Sequence, residues 1–439
     1  MQRAFLHIVL FIFGFFYIET YSTLVFVLPI FCVTFAAAIR NNNKNLDIID
    51  MFWLLSQLSF VIAPMVTLEE AEGSQLFAQG VILPLNFNKS MIYEQSYMVE
   101  LYFILFVVSV INFVFLPYTY RHRKLKNFDI KLSISSILII FICAVTLEVF
   151  MRGGLVNTLA PRRLKEEATG GLFLIFSRTF TLALSIFLVV KLKSASQGLK
   201  RSFGYFVLFS LMLLLYNPLN QARFGLLQAH LPLLLITFPA LASFRIFSFL
   251  ILGGMMIIMP ILSETTRNGL SSDFSRISLN PEHFLGYLDQ HKVLLHLVEI
   301  VHVDGLEHGR SILSVVLFFV PRALWSDKPL VLGLEVGNDL YGKGFVATSN
   351  LSGPIIGDFY YDFGIIGVVV GSIVVAYGFR KFIVFGVTLN NLPAHGMLIL
   401  AALPILFRGT VGAVIPIAFF TLVFFYLILF AQNRIRWKR

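Results

Sequence analysis

The stretch Pro321 to Pro329, PRALWSDKP, sets two cations six positions apart, Arg322 and Lys328, with Trp325 between them and a proline at each end. A guanidinium presents a planar fork that grips a phosphate with two hydrogen bonds. An indole favours the membrane interface and stacks on sugar rings. At a membrane surface this group could hold a pyrophosphate whose lipid tail lies in the bilayer. The same pair could equally rest on lipid headgroups. Further cations pose the same question. Arg223 and Arg408 stand at the ends of apolar runs, where they could face a polar cavity or snorkel to the headgroups. Arg178 lies one or two turns inside such a run, which favours a cavity position. Arg162 and Arg163, within MRGGLVNTLAPRRLKEEATGG (151–171), could clamp a phosphate or a sugar, or pair with Glu166 and Glu167. Asp358 and Asp362 flank Phe359-Tyr360-Tyr361. A carboxylate there could take a proton from an attacking hydroxyl, fix an arginine, or cap an interfacial helix.

The elements that must position these side chains are apolar. Hydrophobic residues make up 57% of the 439, and charged residues only 13%. A soluble domain carries about a quarter charged residues, so this chain could not cover a folded surface facing water. Apolar runs of membrane length predict about twelve transmembrane helices, near 4–19, 21–39, 48–67, 99–117, 132–150, 172–190, 203–217, 224–242, 246–262, 363–379, 395–407 and 412–431. The fold class is therefore an all-α polytopic membrane protein. The first run resembles a signal-peptide core behind Arg3, but no small-residue cleavage site follows, and an uncleaved anchor is expected. No internal repeat is evident, which disfavours inverted-repeat transporters.

Charge predicts the topology. With both termini cytoplasmic, the inner segments hold nineteen of the 34 basic residues and only three acids, Asp47, Asp50 and Asp129. This is the positive-inside pattern, and it accounts for most of the +10 net charge without a nucleic-acid partner. The other fifteen basic residues fall outside or near outer span ends, and ten of them are arginines. Topology does not require them there, so a chemical reason on the outer face is expected.

The chain divides into helices 1–9 (1–262), a long outer loop (263–362), and helices 10–12 with a basic tail (363–439). Within the loop, residues 283–303 predict a helix with Leu285, Leu288, Leu295 and Val298 near one face and Asp289, Lys292 and His296 elsewhere. Residues 311–320, SILSVVLFFV, are apolar but too short to span, which predicts a re-entrant or interfacial helix. Gly357 and Gly364 would allow tight turns, and Gly367/Gly371 has small-xxx-small spacing for helix packing. Five of the nine histidines lie in this loop without metal-ligand spacing, and no metal or other cofactor is expected. His308, beside Glu307, is a conceivable acid–base group, although solvated loop polarity explains it more simply. Both cysteines, Cys32 and Cys143, fall inside predicted spans, as ordinary apolar packing would place them.

With its long outer loop before the last spans, the layout resembles the O-antigen polymerases (Wzy-type repeat-unit polymerases). The local carriers of that resemblance are FFVPRALWSDKP (318–329), SGPIIGDFYYDFGIIG (352–367), QARFGLL (221–227) and FRGT (407–410). The resemblance implies a glycosyltransferase at the periplasmic face of a bacterial inner membrane. It would move a growing glycan from undecaprenyl diphosphate to a new lipid-linked repeat unit. Implied partners are the undecaprenyl-diphosphate-linked oligosaccharide, the bilayer and a chain-length regulator protein. Arg223, Arg322, Lys328 and Arg408 would hold the diphosphates, and Asp358 would act as base or orienter. Many lipid-phosphosugar transferases use an acid in the first external loop, and that loop offers only Glu19 here, so their mechanism is not carried over. An O-antigen ligase shares architecture and donor and differs in its acceptor. A lipid-linked oligosaccharide flippase or other transporter would instead distribute charge within the spans.

Overall fold

In a bilayer every backbone polar group must be satisfied within its own segment, so long apolar runs fold as helices. The computed structural model describes residues 2–16, 18, 21–40, 48–67, 76–78, 81–83, 95–116, 132–160, 171–195, 198–219, 221, 223–258, 261, 288, 290–321, 323–341, 353–388 and 411–434. These residues are helical, apart from turns and one antiparallel hairpin, β1 (Leu76–Ala78) with β2 (Val81–Leu83), which pairs Leu76 with Leu83.

The helices are α1 (Gln2–Phe15), α2 (Tyr21–Arg40), α3, α4 (Gln95–Phe115), α5 (Ile134–Met151), the short α6 (Leu155–Leu159), α7 (Gly171–Ser194), α8 (Leu199–Leu215) and α9 (Arg223–Thr237). They continue with α10 (Phe244–Gly253), α11 (Gln290–Asp304), α12 (Arg310–Val316), α13 (Leu332–Tyr341), α14 (Ile355–Thr388) and α15 (Val411–Arg434). α3 starts as Ile48–Gln57, widens to a π turn at Leu58–Ile62 and ends as Ala63–Thr67. Pro64 explains the π turn, because its ring would collide with the carbonyl one turn back in a regular helix. Among the described residues, six helices are long and apolar enough to cross a membrane: α2, α3, α4, α5, α7 and α14. α1 and Gly225–Thr237 are apolar but shorter. The predicted run 395–407 lies outside the described residues.

Two apolar clusters organise the packing. The first joins α1–α4 with α11, α13 and the start of α14, through residues such as Ile30, Leu54, Ile62, Leu101, Leu294 and Tyr360. The second joins α5 and α7–α9 with α15, through Phe141, Phe187, Leu208, Leu233 and Phe424. Phe176 and Phe180 of α7 lie against Phe420 and Phe424 of α15, with centroids 5.6, 4.6 and 4.9 Å apart, so α7 and α15 run parallel. Large apolar residues stay exposed on the outsides of the helices, among them Val25, Phe103, Ile139, Phe173, Phe206 and Val374. Hydroxyls within the helices bond back to carbonyls of the preceding turn, as Thr179 does to Ile175 (2.7 Å) and Ser109 to Leu105 (2.8 Å). An apolar exterior over locally satisfied polar groups suits lipid as solvent.

α14 is not one straight rod. Gly364 takes φ +60° and ψ −147°, a conformation essentially confined to glycine, and breaks the helix. The segment before it folds back so that Phe359 crosses Gly367 and Gly371, where any Cβ would collide with the Phe359 carbonyl or ring. The small-residue spacing therefore serves a contact within the element, between its two halves. Gly364 makes the expected turn, whereas Gly357 lies in the helix against Leu332 and Leu297.

α11 departs from the expected helix with an apolar face and its polar residues elsewhere. Its described part is buried nearly all round, including Gln290, His291 and His296. It can be buried because His296 meets Glu299 at 3.2 Å and Asp339 of α13 at 2.8 Å. The apolar stretch 311–320 forms the two-turn α12 followed by turns, too short to cross a bilayer.

Candidate functional site

The ends of α5, α7, α8 and α9 meet in one polar cluster. Glu148, in the last turn of α5, is fully buried. Arg152 follows that turn, pairs with Glu148 and donates to the Leu215 carbonyl of α8 at 2.9 Å. The Tyr216 hydroxyl donates to both Glu148 oxygens, at 2.9 and 3.1 Å. Arg152 and Arg178 both approach the Tyr216 ring, 5.2 and 5.5 Å from its centroid. Two guanidinium groups thus approach one phenol ring, and Glu148 pairs with one of them. Among the described residues no carboxylate pairs with Arg178, which is half-buried in the second turn of α7. Gly225 in the first turn of α9 leaves it room: Arg178 Nη2 and Gln221 Oε1 each lie 3.3 Å from where a Cβ would stand. Among the described residues, positive charge is therefore in surplus beside the N-terminus of α9, and a helix N-terminus also favours an anion. Arg223 is the first residue of α9, and its side chain lies outside the described residues.

A second constellation surrounds α12. Asp362 of α14 accepts the backbone N–H groups of Ser311 (3.1 Å) and Ile312 (2.7 Å), closing the N-terminus of α12. The Lys328 ammonium donates to the carbonyls of Leu317 (2.8 Å), Phe318 (3.3 Å) and Val320 (3.0 Å), closing the other end. Half-buried Trp325 lies beside it, its ring 5.9 Å from Nζ. Lys328 thus donates to the chain itself, and the described part of this stretch, residues 323–329, forms turns that seal α12. Arg310 pairs at the surface with Asp327 at 3.0 Å.

Asp358 stands one turn before Asp362 and holds a third helix end. Its Oδ2 accepts the N–H of Val411, first residue of α15, at 2.8 Å. The side chain is 1% exposed, and among the described residues its Oδ1 has no hydrogen-bond partner. The two acids bind the first cluster to α12 and α15. Phe318 after α12 then packs on Phe420 of α15 (6.0 Å), which packs on Phe176 of α7, two residues before Arg178. Arg162, Arg163, Arg322 and Arg408 lie outside the described residues.

A fourth group had no sequence expectation attached to its role. His302, near the end of α11, faces Glu100 of α4 with Nε2 to Oε2 at 2.7 Å. The Tyr360 hydroxyl of α14 donates to the other oxygen of Glu100, also at 2.7 Å. The available signal was Glu100 itself, an acid at the mouth of an otherwise apolar run. Among the described residues no three His, Cys, Asp or Glu side chains gather as metal ligands. In comparisons with known proteins, no family model, no curated protein and no solved structure matches this chain.

Proposed function

We propose that this chain polymerises lipid-linked glycan repeat units at the periplasmic face of the inner membrane, by glycosyl transfer from undecaprenyl diphosphate. The observation that carries the reading is Arg178: a guanidinium inside an apolar helix, without a carboxylate partner among the described residues, beside the N-terminus of α9. A diphosphate leaving group needs charge of this kind, because stabilising the negative charge that develops on departure is a large catalytic term. Arg223 at the head of α9 would extend the same anion site, and Arg162, Arg163, Arg322 and Arg408 are further candidates from the same arginine-rich face. Lys328, Trp325 and Asp358 would support the site by fixing α12 and α15. The resemblance to the O-antigen polymerases supplies the substrate class.

The test is deletion of the gene in its native host, with the surface glycolipid run on a gel. The expected result is a core carrying a single repeat unit, the ladder being lost, because units are still made, flipped and attached but not joined. Wild-type complementation should restore the ladder and Arg178→Ala should not. Loss of every repeat from the core, with polymer left on the lipid carrier, would identify a ligase. Units trapped on the cytoplasmic side would identify a flippase, and either result sinks the polymerase reading.

A further inference from the structure

Glycosyl transfer to a sugar hydroxyl needs a group that takes the hydroxyl proton, and Asp358 is buried away from any incoming hydroxyl, with Oδ2 holding the head of α15. We infer that His302, oriented by Glu100, is that group, a catalytic base for the acceptor hydroxyl; the inference rests on the polymerisation reading. Tyr360 and His302 approach different oxygens of Glu100. The phenol O–H can only donate to a carboxylate, so Tyr360 holds Glu100 as an anchored acceptor. The imidazole nitrogen facing the other oxygen is then the N–H, which leaves the lone pair on Nδ1. Nδ1 has no partner among the described residues, and the His302 side chain is 48% exposed while Glu100 is 21% exposed. Among the described residues the groups facing the imidazole are Glu100 and Tyr97 from α4, the Tyr97 ring lying 5.0 Å away, with Tyr360 of α14 behind the carboxylate.

This is the division of labour of an acid-oriented histidine base: an anchored carboxylate fixes tautomer and direction, and the far nitrogen is open to the reacting group. The step balances without a further reactant. The acceptor hydroxyl gives its proton to Nδ1 while its oxygen forms the new bond to the anomeric carbon. The bond from that carbon to the diphosphate oxygen breaks, and its electron pair leaves on the lipid diphosphate. His302 then returns its proton to water.

The experiment uses the full chain in phosphatidylethanolamine–phosphatidylglycerol liposomes, with lipid-linked repeat units extracted from the native host, and measures initial joining rates against pH. His302→Gln should lower kcat by roughly 10²- to 10⁴-fold with KM little changed, and should abolish the acidic limb of the pH–rate profile. Added imidazole should restore part of the rate to His302→Ala, and Glu100→Gln should lower kcat less than His302→Gln. A His302→Gln protein with wild-type kcat overturns the inference and leaves polymerisation standing. So does a His302→Ala loss that imidazole leaves unchanged, which would make the pair a latch between α4 and α11. A wild-type protein that joins no units overturns the polymerisation reading, and this inference with it.

Discussion

The two helix clusters treat charge in opposite ways. In the first, the buried arginine is closed. Arg3 of α1 meets Asp50 of α3 through two bonds, Nε to Oδ1 at 2.6 Å and Nη2 to Oδ2 at 2.7 Å, and both side chains are almost fully buried. Such a bidentate pair leaves no net charge to offer a ligand. In the second, Glu148 is shared by Arg152 and Tyr216, and among the described residues Arg178 meets an aromatic ring and no carboxylate. The first arrangement holds helices together. The second does so and retains a cation, which is what distinguishes a candidate site from a structural pair.

That contrast can be broken most severely at Arg152. Arg152→Ala leaves Glu148 buried with the Tyr216 phenol as its partner among the described residues, and breaking a buried pair costs about 3–5 kcal/mol. Fluorescence size-exclusion and thermal denaturation in detergent should show little folded protein, and Arg3→Ala should behave alike. Arg178→Ala should part from both. It removes no ion pair among the described residues, so the folded fraction should persist while joining falls by roughly 10²- to 10³-fold. Equal loss of fold in the Arg178 and Arg152 variants would erase the distinction between the clusters.

Lys328→Met tests a third category, a cation bonded to backbone carbonyls. Three carbonyls lose a charged donor, and the expected destabilisation is about 1.5–3 kcal/mol, with any fall in activity following the loss of fold. A well-folded but inactive Lys328→Met would instead return Lys328 to the diphosphate. Asp362→Ala should cost about 1–2 kcal/mol through the uncapped α12. A pH-dependent effect concerns His291 of α11, in the first cluster. Burial, reinforced by the Lys292 ammonium, pushes its imidazole down to about 3. The neutral form is the folded one, so its contribution is complete above pH 6.5 and declines below that, by up to roughly 1.4 kcal/mol per pH unit. Thermal midpoints in detergent should fall as pH drops from 6.5 to 4.5, less steeply for His291→Gln.

Much of the helical layout follows from local composition. Apolar runs at 21–39, 48–67, 99–117, 132–150 and 172–190 coincide within a few residues with α2, α3, α4, α5 and α7, because a helix satisfies its own backbone wherever it lies. Gly364 and the Gly367/Gly371 pair were also legible, since only small residues permit such a turn and such a crossing. Arg178 stood out as a charge that an apolar run does not tolerate without reason. What tertiary structure alone decided is the use of each polar side chain. Asp358 is an anchor for α15 only because Val411, far along the chain, arrives beside it. Lys328 is committed to α12 by three carbonyls that converge only after the chain turns back. Glu100, His302 and Tyr360 belong to three helices and become one group only when those helices pack. Hydrophobicity and backbone conformation are properties of a segment, and sequence carries them directly. Hydrogen-bond partnership is a property of pairs brought together through space, and only the packed molecule chooses them.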